Sequence, residues 1–79
     1  MSKIQFNIEL DCRGLNCPLP ILKTKKAIDS MSSGEILKMT STDPSSNNDI
    51  IAWAKKTGNK ILLTENQDDD FIFLIRKSK

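Results

Sequence analysis

Ile4, Phe6, Ile8 and Leu10 alternate with Gln5, Asn7 and Glu9, the period-two pattern of a strand with one buried face. The alternation breaks over Asp11 to Asn16, where Gly14 offers a backbone conformation that other residues resist. Beyond that point the period lengthens. Ile21, Thr24, Ala27, Ile28 and Met31 share one side of a helix, and Leu19, Leu22, Lys23 and Lys26 fall on roughly the opposite side, pointing outward. Pro18 suits a first helical position, where its missing N–H would have had no partner, and Pro20 still lies in the first turn. Cys17 therefore falls at about the N-cap, and Gly34 is expected to close the helix in a left-handed conformation.

Glu35 to Ser41 read as a second strand, with Leu37 and Met39 on one side and Ile36 and Thr40 on the other. Asp43 as N-cap and Pro44 at the first position open a second helix through Ile50, Ile51, Trp53 and Ala54 to Gly58. Trp53 shares a stripe with Ile50 and Ala54 and reads as a core residue. Ile61 to Thr64 and Phe71 to Arg76 make two final strands around Asp68-Asp69-Asp70, which reads as a solvated turn. The order βαβαββ, with right-handed crossovers, places both helices on the same face of the sheet. The expected fold is α+β: a two-layer α/β sandwich with a mixed four-stranded sheet. Lys38, Lys60 and Arg76 then occupy the open face as solvated residues.

The 79 residues are expected to form one domain, 1–79, near the lower end of what folds on a single core. A formal charge of +2 is too small to imply nucleic acid, and Phe6, Phe71 and Phe73 alternate as core residues, so no stacking platform for bases is evident. No apolar run is long enough to span a membrane, and the first residues do not resemble a secretory signal. The expected location is cytoplasmic, with both cysteines mainly reduced. The chain has no His and no Tyr, which excludes Cys–His and Ser–His catalytic pairs. Two cysteines without His cannot close a four-ligand zinc site, and three glycines form no phosphate loop. No metal or other cofactor is expected.

What remains is a thiol at a strand-to-helix junction. The first N–H groups of a helix lack intrahelical partners, so an anion placed there is favoured by hydrogen bonding and by the helix dipole. A thiolate is such an anion, and it is the reactive form of cysteine. Asp11 is expected to fix the preceding loop by accepting backbone N–H bonds. Arg13 is a candidate for a positive charge near Cys17 and equally a surface residue.

The segment Leu10-Asp11-Cys12-Arg13-Gly14-Leu15-Asn16-Cys17-Pro18-Leu19-Pro20 resembles the signature of the TusA/SirA-like sulfur-carrier family, a Cys-Pro-x-Pro motif preceded by Asp-x-x-Gly-x-x. Gly34-Glu35, Asp43-Pro44, Asp49-Ile50, Gly58 and the closing Leu74-Ile75-Arg76-Lys77 also stand where relatives carry similar residues, so the resemblance covers essentially the whole chain. It implies a βαβαββ protein that carries sulfane sulfur as a persulfide on Cys17 and binds no cofactor. Pro18, Pro20, Asp11, Arg13 and Gly14 would support that cysteine. A cysteine desulfurase, a rhodanese-like protein or another sulfurtransferase would supply the sulfur. An acceptor protein would take it for tRNA thiolation, cofactor synthesis or sulfur oxidation. Such a protein is a covalent carrier without independent turnover, and Leu19, Leu22, Lys23 and Lys26 are the candidates for partner docking.

Cys12 is a departure from the minimal signature. One reading makes it a resolving thiol that converts a Cys17 persulfide or sulfenate into an internal disulfide. The favoured reading makes it a small buried residue at a strand end. Two other functions follow from different weightings of these features: a thiol–disulfide switch formed by Cys12 and Cys17, and a regulatory or RNA-binding module.

Overall fold

The computed structural model describes residues 5–16 and 19–78, and Ser46 by its backbone alone. Strand β1 (Ile8–Cys12) leads to helix α1 (Leu19–Asp29), β2 (Ile36–Ser41), α2 (Ser46–Thr57), β3 (Lys60–Gln67) and β4 (Asp70–Arg76). The four strands form one sheet in the order β1-β2-β4-β3. β1 runs parallel to β2, and the other pairs are antiparallel. α1 packs on β1 and β2, α2 packs on β3 and β4, and the helices touch each other. The expected α+β sandwich is the observed one.

The core lies between these layers. Cys12, Leu37, Met39, Phe73 and Ile75 enter it from the sheet, and Ile28, Met31 and Ile50 cover them from the helical side. Trp53, Ile21 and Ala27 are half-buried and pack at its margin. Gly58 closes α2 in the left-handed region, at φ 82°, as its position after the last helical residue leads one to expect.

Five local expectations need correction. The described strand β1 starts at Ile8: of the earlier alternating positions, Ile4 lies outside the described residues, and Phe6 precedes the strand and is 42% exposed. A bend at Asn7 is the cause. Its N–H donates to the Ile36 carbonyl, and its Oδ1 accepts the Ile36 N–H, both at 2.9 Å, so a side chain replaces a backbone carbonyl in the ladder. The Phe6 ring then sits 5.3 Å from the Lys38 ammonium, on the face of the sheet away from the helices. Leu74 also belongs to that face by its pairing with Lys38, yet it is only 3% exposed.

At its other end the strand runs on through Asp11 and Cys12, which pair with Thr40 and Ser41. The alternation continues there, with Asp11 exposed and Cys12 buried. α1 stops at Asp29, well before Gly34, where the Ser30 N–H and hydroxyl both donate to the Ala27 carbonyl, at 3.2 and 2.8 Å. Gly34 has the positive φ, 89°, but uses it in the connection to β2, donating its N–H to the Lys77 carbonyl at 2.7 Å. The N-cap of α2 is Ser45, not Asp43. Asp43 acts one step earlier, with Oδ1 accepting the Ser45 N–H at 3.0 Å and the Ser45 hydroxyl at 2.9 Å. Finally, β3 and β4 are longer than the apolar runs that signalled them. Only Asp68 and Asp69 form the turn, Asp68 at φ 55°, and Asp70 already pairs with Gln67. Among the described residues no helix is long and apolar enough to cross a membrane.

Candidate functional site

Because β1 and β2 are parallel neighbours, the loops leaving their carboxyl ends emerge side by side. Ligand and reactive groups of open α/β sheets favour that edge. The first loop is tied down residue by residue. Asp11 Oδ1 accepts the Arg13 N–H at 3.0 Å, as a loop-fixing carboxylate should. The Leu15 N–H returns to the Cys12 carbonyl at 3.2 Å, closing a turn whose third residue, Gly14, has φ 81°. An L side chain is strained in that region even with open space around it, and nothing lies within 4 Å of where a Gly14 Cβ would stand. The Gly14 N–H donates to the Thr42 hydroxyl at 2.9 Å, across 28 residues of sequence.

Cys17 and Pro18 lie outside the described residues, so the expected N-cap position of the thiol is not described. Their flanks are placed: the Leu19 N–H donates to the Asn16 carbonyl at 2.9 Å, and Pro20 is fully buried. α1 then presents Leu19 and Leu22, 46% and 55% exposed, with Lys23 and Lys26 also in solvent. Lys23 and Lys26 border a shallow groove of about 340 Å³ between α1 and edge strand β1, floored by Leu10 and Ala27.

Arg13 is oriented by Asp11. Its Nε donates to Oδ1 at 3.0 Å and its Nη2 to Oδ2 at 3.1 Å, a two-point pair in which both side chains remain more than half exposed. The guanidinium hydrogen bond holds the Asp11 carboxyl below its ordinary value of 3.8, aided by the Arg13 N–H. The guanidinium itself is pushed up, first by Asp11 and further by Asp70 and Glu9. Its charge is thus directed to the open face of the sheet, where it borders a polar hollow of about 540 Å³ with Lys38, Thr40, Gln67 and Asp70. Lys38 reaches Glu9 at 3.8 Å on the same face.

Cys12 sits on the opposite side of the strand, in the core, with 0% exposure. Burial pushes its thiol up from the ordinary value of 9.0, partly countered by the positive charge of Lys23. A buried thiol held in its protonated form lacks the access and the thiolate that a resolving cysteine needs, so the position fits the buried-residue reading and argues against the switch. The exposed Phe6 and half-buried Phe71 do not combine into a base-stacking surface. Among the described residues, no group of three or more Cys, Asp or Glu side chains is placed to hold a metal ion. The residue that sequence patterns missed is Thr42: nothing local marks a hydroxyl that acts on a loop 28 residues away.

A two-layer βαβαββ domain with its motif loop at the carboxyl end of β1 is a SirA-like fold. It superposes on the crystal structure of a SirA-like protein from Desulfitobacterium hafniense with a TM-score of 0.74, covering 92% of this chain and all of that one at 21% identity. The family is narrower than the fold. Residues 8–77 match the family model described as sulfurtransferase TusA, and the chain belongs to the TusA sulfurtransferase family. It is 51% identical over 73 residues to the sulfur carrier protein TusA of Allochromatium vinosum, covering 92% of this chain and 96% of that protein. The protein of the same name from Pseudomonas entomophila is 31% identical over 77 residues, with 98% and 96% covered. A putative sulfur carrier protein of Aquifex aeolicus is 40% identical over 78 residues, but the match spans only 40% of its length.

Proposed function

We propose that this chain is a sulfur carrier that accepts sulfane sulfur as a persulfide on Cys17 and hands it to an acceptor protein. The observation that carries the reading is the family match across residues 8–77, which contains the whole Cys-Pro-x-Pro segment. The loop geometry supports it: a fixed turn from Cys12 to Leu15 precedes the motif, and α1 begins within the motif, at Leu19.

The transfer is a thiol exchange. The Cys17 thiolate attacks the outer sulfur of a donor persulfide, the donor S–S bond breaks, the donor cysteine leaves as a thiolate, and a new S–S bond forms on Cys17. Oxidation state is conserved and no co-reactant is consumed. Such exchange is governed by thiolate fraction, leaving group and access, and needs no resident general base. The donor is a cysteine desulfurase or a rhodanese-like protein. The acceptor serves tRNA thiolation, cofactor synthesis or sulfur oxidation, in the reducing cytoplasm, and residues 1–79 act as one domain. Leu19, Leu22, Lys23 and Lys26, exposed on the helix that follows the thiol, support a docking role for that side of α1. Asp11 and Gly14 hold the loop, and Arg13 completes the Asp11 clamp.

Incubation with a cysteine desulfurase and cysteine tests the proposal. The wild-type protein is expected to gain the mass of one sulfur atom, and Cys17→Ser is expected to gain none. Equal loading of Cys17→Ser, or no loading of the wild type, would contradict it.

A further inference from the structure

The loop that precedes Cys17 is held from two directions. From its own strand, Asp11 grips the Arg13 N–H and guanidinium. From the loop that leaves the neighbouring strand, Thr42 accepts the Gly14 N–H at 2.9 Å. This second hold requires three separate features of the chain. The parallel register pairs Cys12 with Ser41, so Thr42 leaves β2 beside the point where Arg13 leaves β1. Gly14 at φ 81° turns its N–H toward Thr42, a conformation that other residues take only with strain. Thr42 is itself fixed from the far side. The Asp43 N–H donates to the Ser41 hydroxyl at 3.2 Å, and Asp43 in turn holds Ser45 at the start of α2. A β-branched side chain with few χ1 choices then aims its hydroxyl with little loss of entropy.

We propose that Thr42 is a positioning residue for Cys17. Its hydroxyl latches the β1–α1 loop to the β2–α2 loop and so fixes the chain three residues before the thiol. The inference rests on the reading of Cys17 as the carrier thiol. Thr42 does not touch the reacting atoms; it acts through Gly14. Without the latch, residues 14–16 lose their only hydrogen bond to the second loop among the described residues. The entry of the motif into α1 is then less well defined.

Alkylation of Cys17 by iodoacetamide, followed on the Cys17 peptide by mass spectrometry across a pH series, reads this out without any sulfur transfer. Thr42→Val keeps the side-chain shape and deletes the acceptor. It is expected to slow Cys17 alkylation at neutral pH by about 3- to 10-fold, the range that loss of one hydrogen bond implies, and to displace the pH midpoint from its wild-type value. Thr42→Ser restores the acceptor and is expected to return both readings to near wild type. A Thr42→Val profile that matches wild type overturns the proposal, and so does equal slowing in the Val and Ser variants, because the hydroxyl is then not the cause. Should the Val variant fail to fold, amide exchange in the wild-type protein decides: protection of the Gly14 N–H supports the latch, and exchange at the rate of an open peptide overturns it. The two readings fail separately. A wild-type protein that never loads sulfur sinks the carrier proposal alone, and an unaltered Thr42→Val alkylation profile sinks the latch alone.

Discussion

At the end of β1, Asp11 Oδ1 accepts the Arg13 N–H at 3.0 Å; at the end of β2, Asp43 Oδ1 accepts the Ser45 N–H at the same 3.0 Å. Both bonds run from a carboxylate to the N–H two residues on, the turn in which an Asp side chain stands in for backbone. In both cases a proline lies in or near the entry to the helix, Pro44 at the second junction and Pro20 in the first turn of α1. The junctions differ in length and in what the length carries. Residues 42–45 are enough to connect β2 to α2, whereas residues 13–18 separate β1 from α1 and include Gly14 and Cys17. The same turn chemistry therefore serves both junctions, one that leads to the Cys-Pro-x-Pro segment and one that supplies the Thr42 hydroxyl to the loop before it. Function here is grafted on a loop, with the fold supplying only its position.

The largest expected effect that separates the junctions is Gly14→Val. A β-branched residue forced to φ 81° is expected to cost about 2 to 3 kcal/mol in urea unfolding and to slow Cys17 alkylation. A variant as stable and as reactive as wild type would show that the first junction does not depend on this turn.

The next effect concerns Cys12, the thiol that β1 sends into the core while its loop sends Cys17 on to the motif. Cys12→Ser buries a hydroxyl in place of a thiol and is expected to cost about 1 to 3 kcal/mol. In the native wild-type protein Cys12 should resist alkylation until the chain unfolds. Its raised pKa also has a sign. The native state keeps the proton more tightly than the unfolded chain, so this contribution is fully present below the ordinary value of 9.0 and is lost as pH rises through the raised native value. An alkaline fall in stability that Cys12→Ala reduces is the expected result; identical pH profiles for both proteins would argue against it.

A smaller effect tests the second junction directly. Asp43→Ala removes the acceptor of two Ser45 bonds and is expected to cost about 1 kcal/mol, with Cys17 alkylation falling less than in Asp11→Ala. Equal kinetic effects from the two aspartates would erase the distinction between the loops. Leu19→Asp and Lys23→Glu should be smallest of all in stability, since both side chains are in solvent, while slowing transfer to a partner. Unchanged transfer in both variants would remove the proposed docking surface.

The element order, the buried side of α1 and the alternation of β2 were all legible in the sequence, because hydrophobic periodicity is a local signal. Side chains that replace backbone groups were not. Asn7 takes a ladder position and turns Phe6 to the open face, and Ser30 ends α1 four residues before the glycine that looked like its cap. Cys12 extended the strand alternation, but only its pairing with Ser41 shows that the ladder reaches so far. The motif was legible through its resemblance to a family signature, whereas the bond from Gly14 to Thr42 depends on a register that brings two distant loops together.

The central claim is that the sulfur travels on Cys17 and not on its buried neighbour. The most direct test is peptide mapping by mass spectrometry of the protein isolated from its own cells, with thiols and persulfides blocked at lysis. Extra sulfur on the Cys17 peptide and none on Cys12 is the expected result; sulfur on Cys12, or a Cys12–Cys17 disulfide in place of any persulfide, would contradict the account.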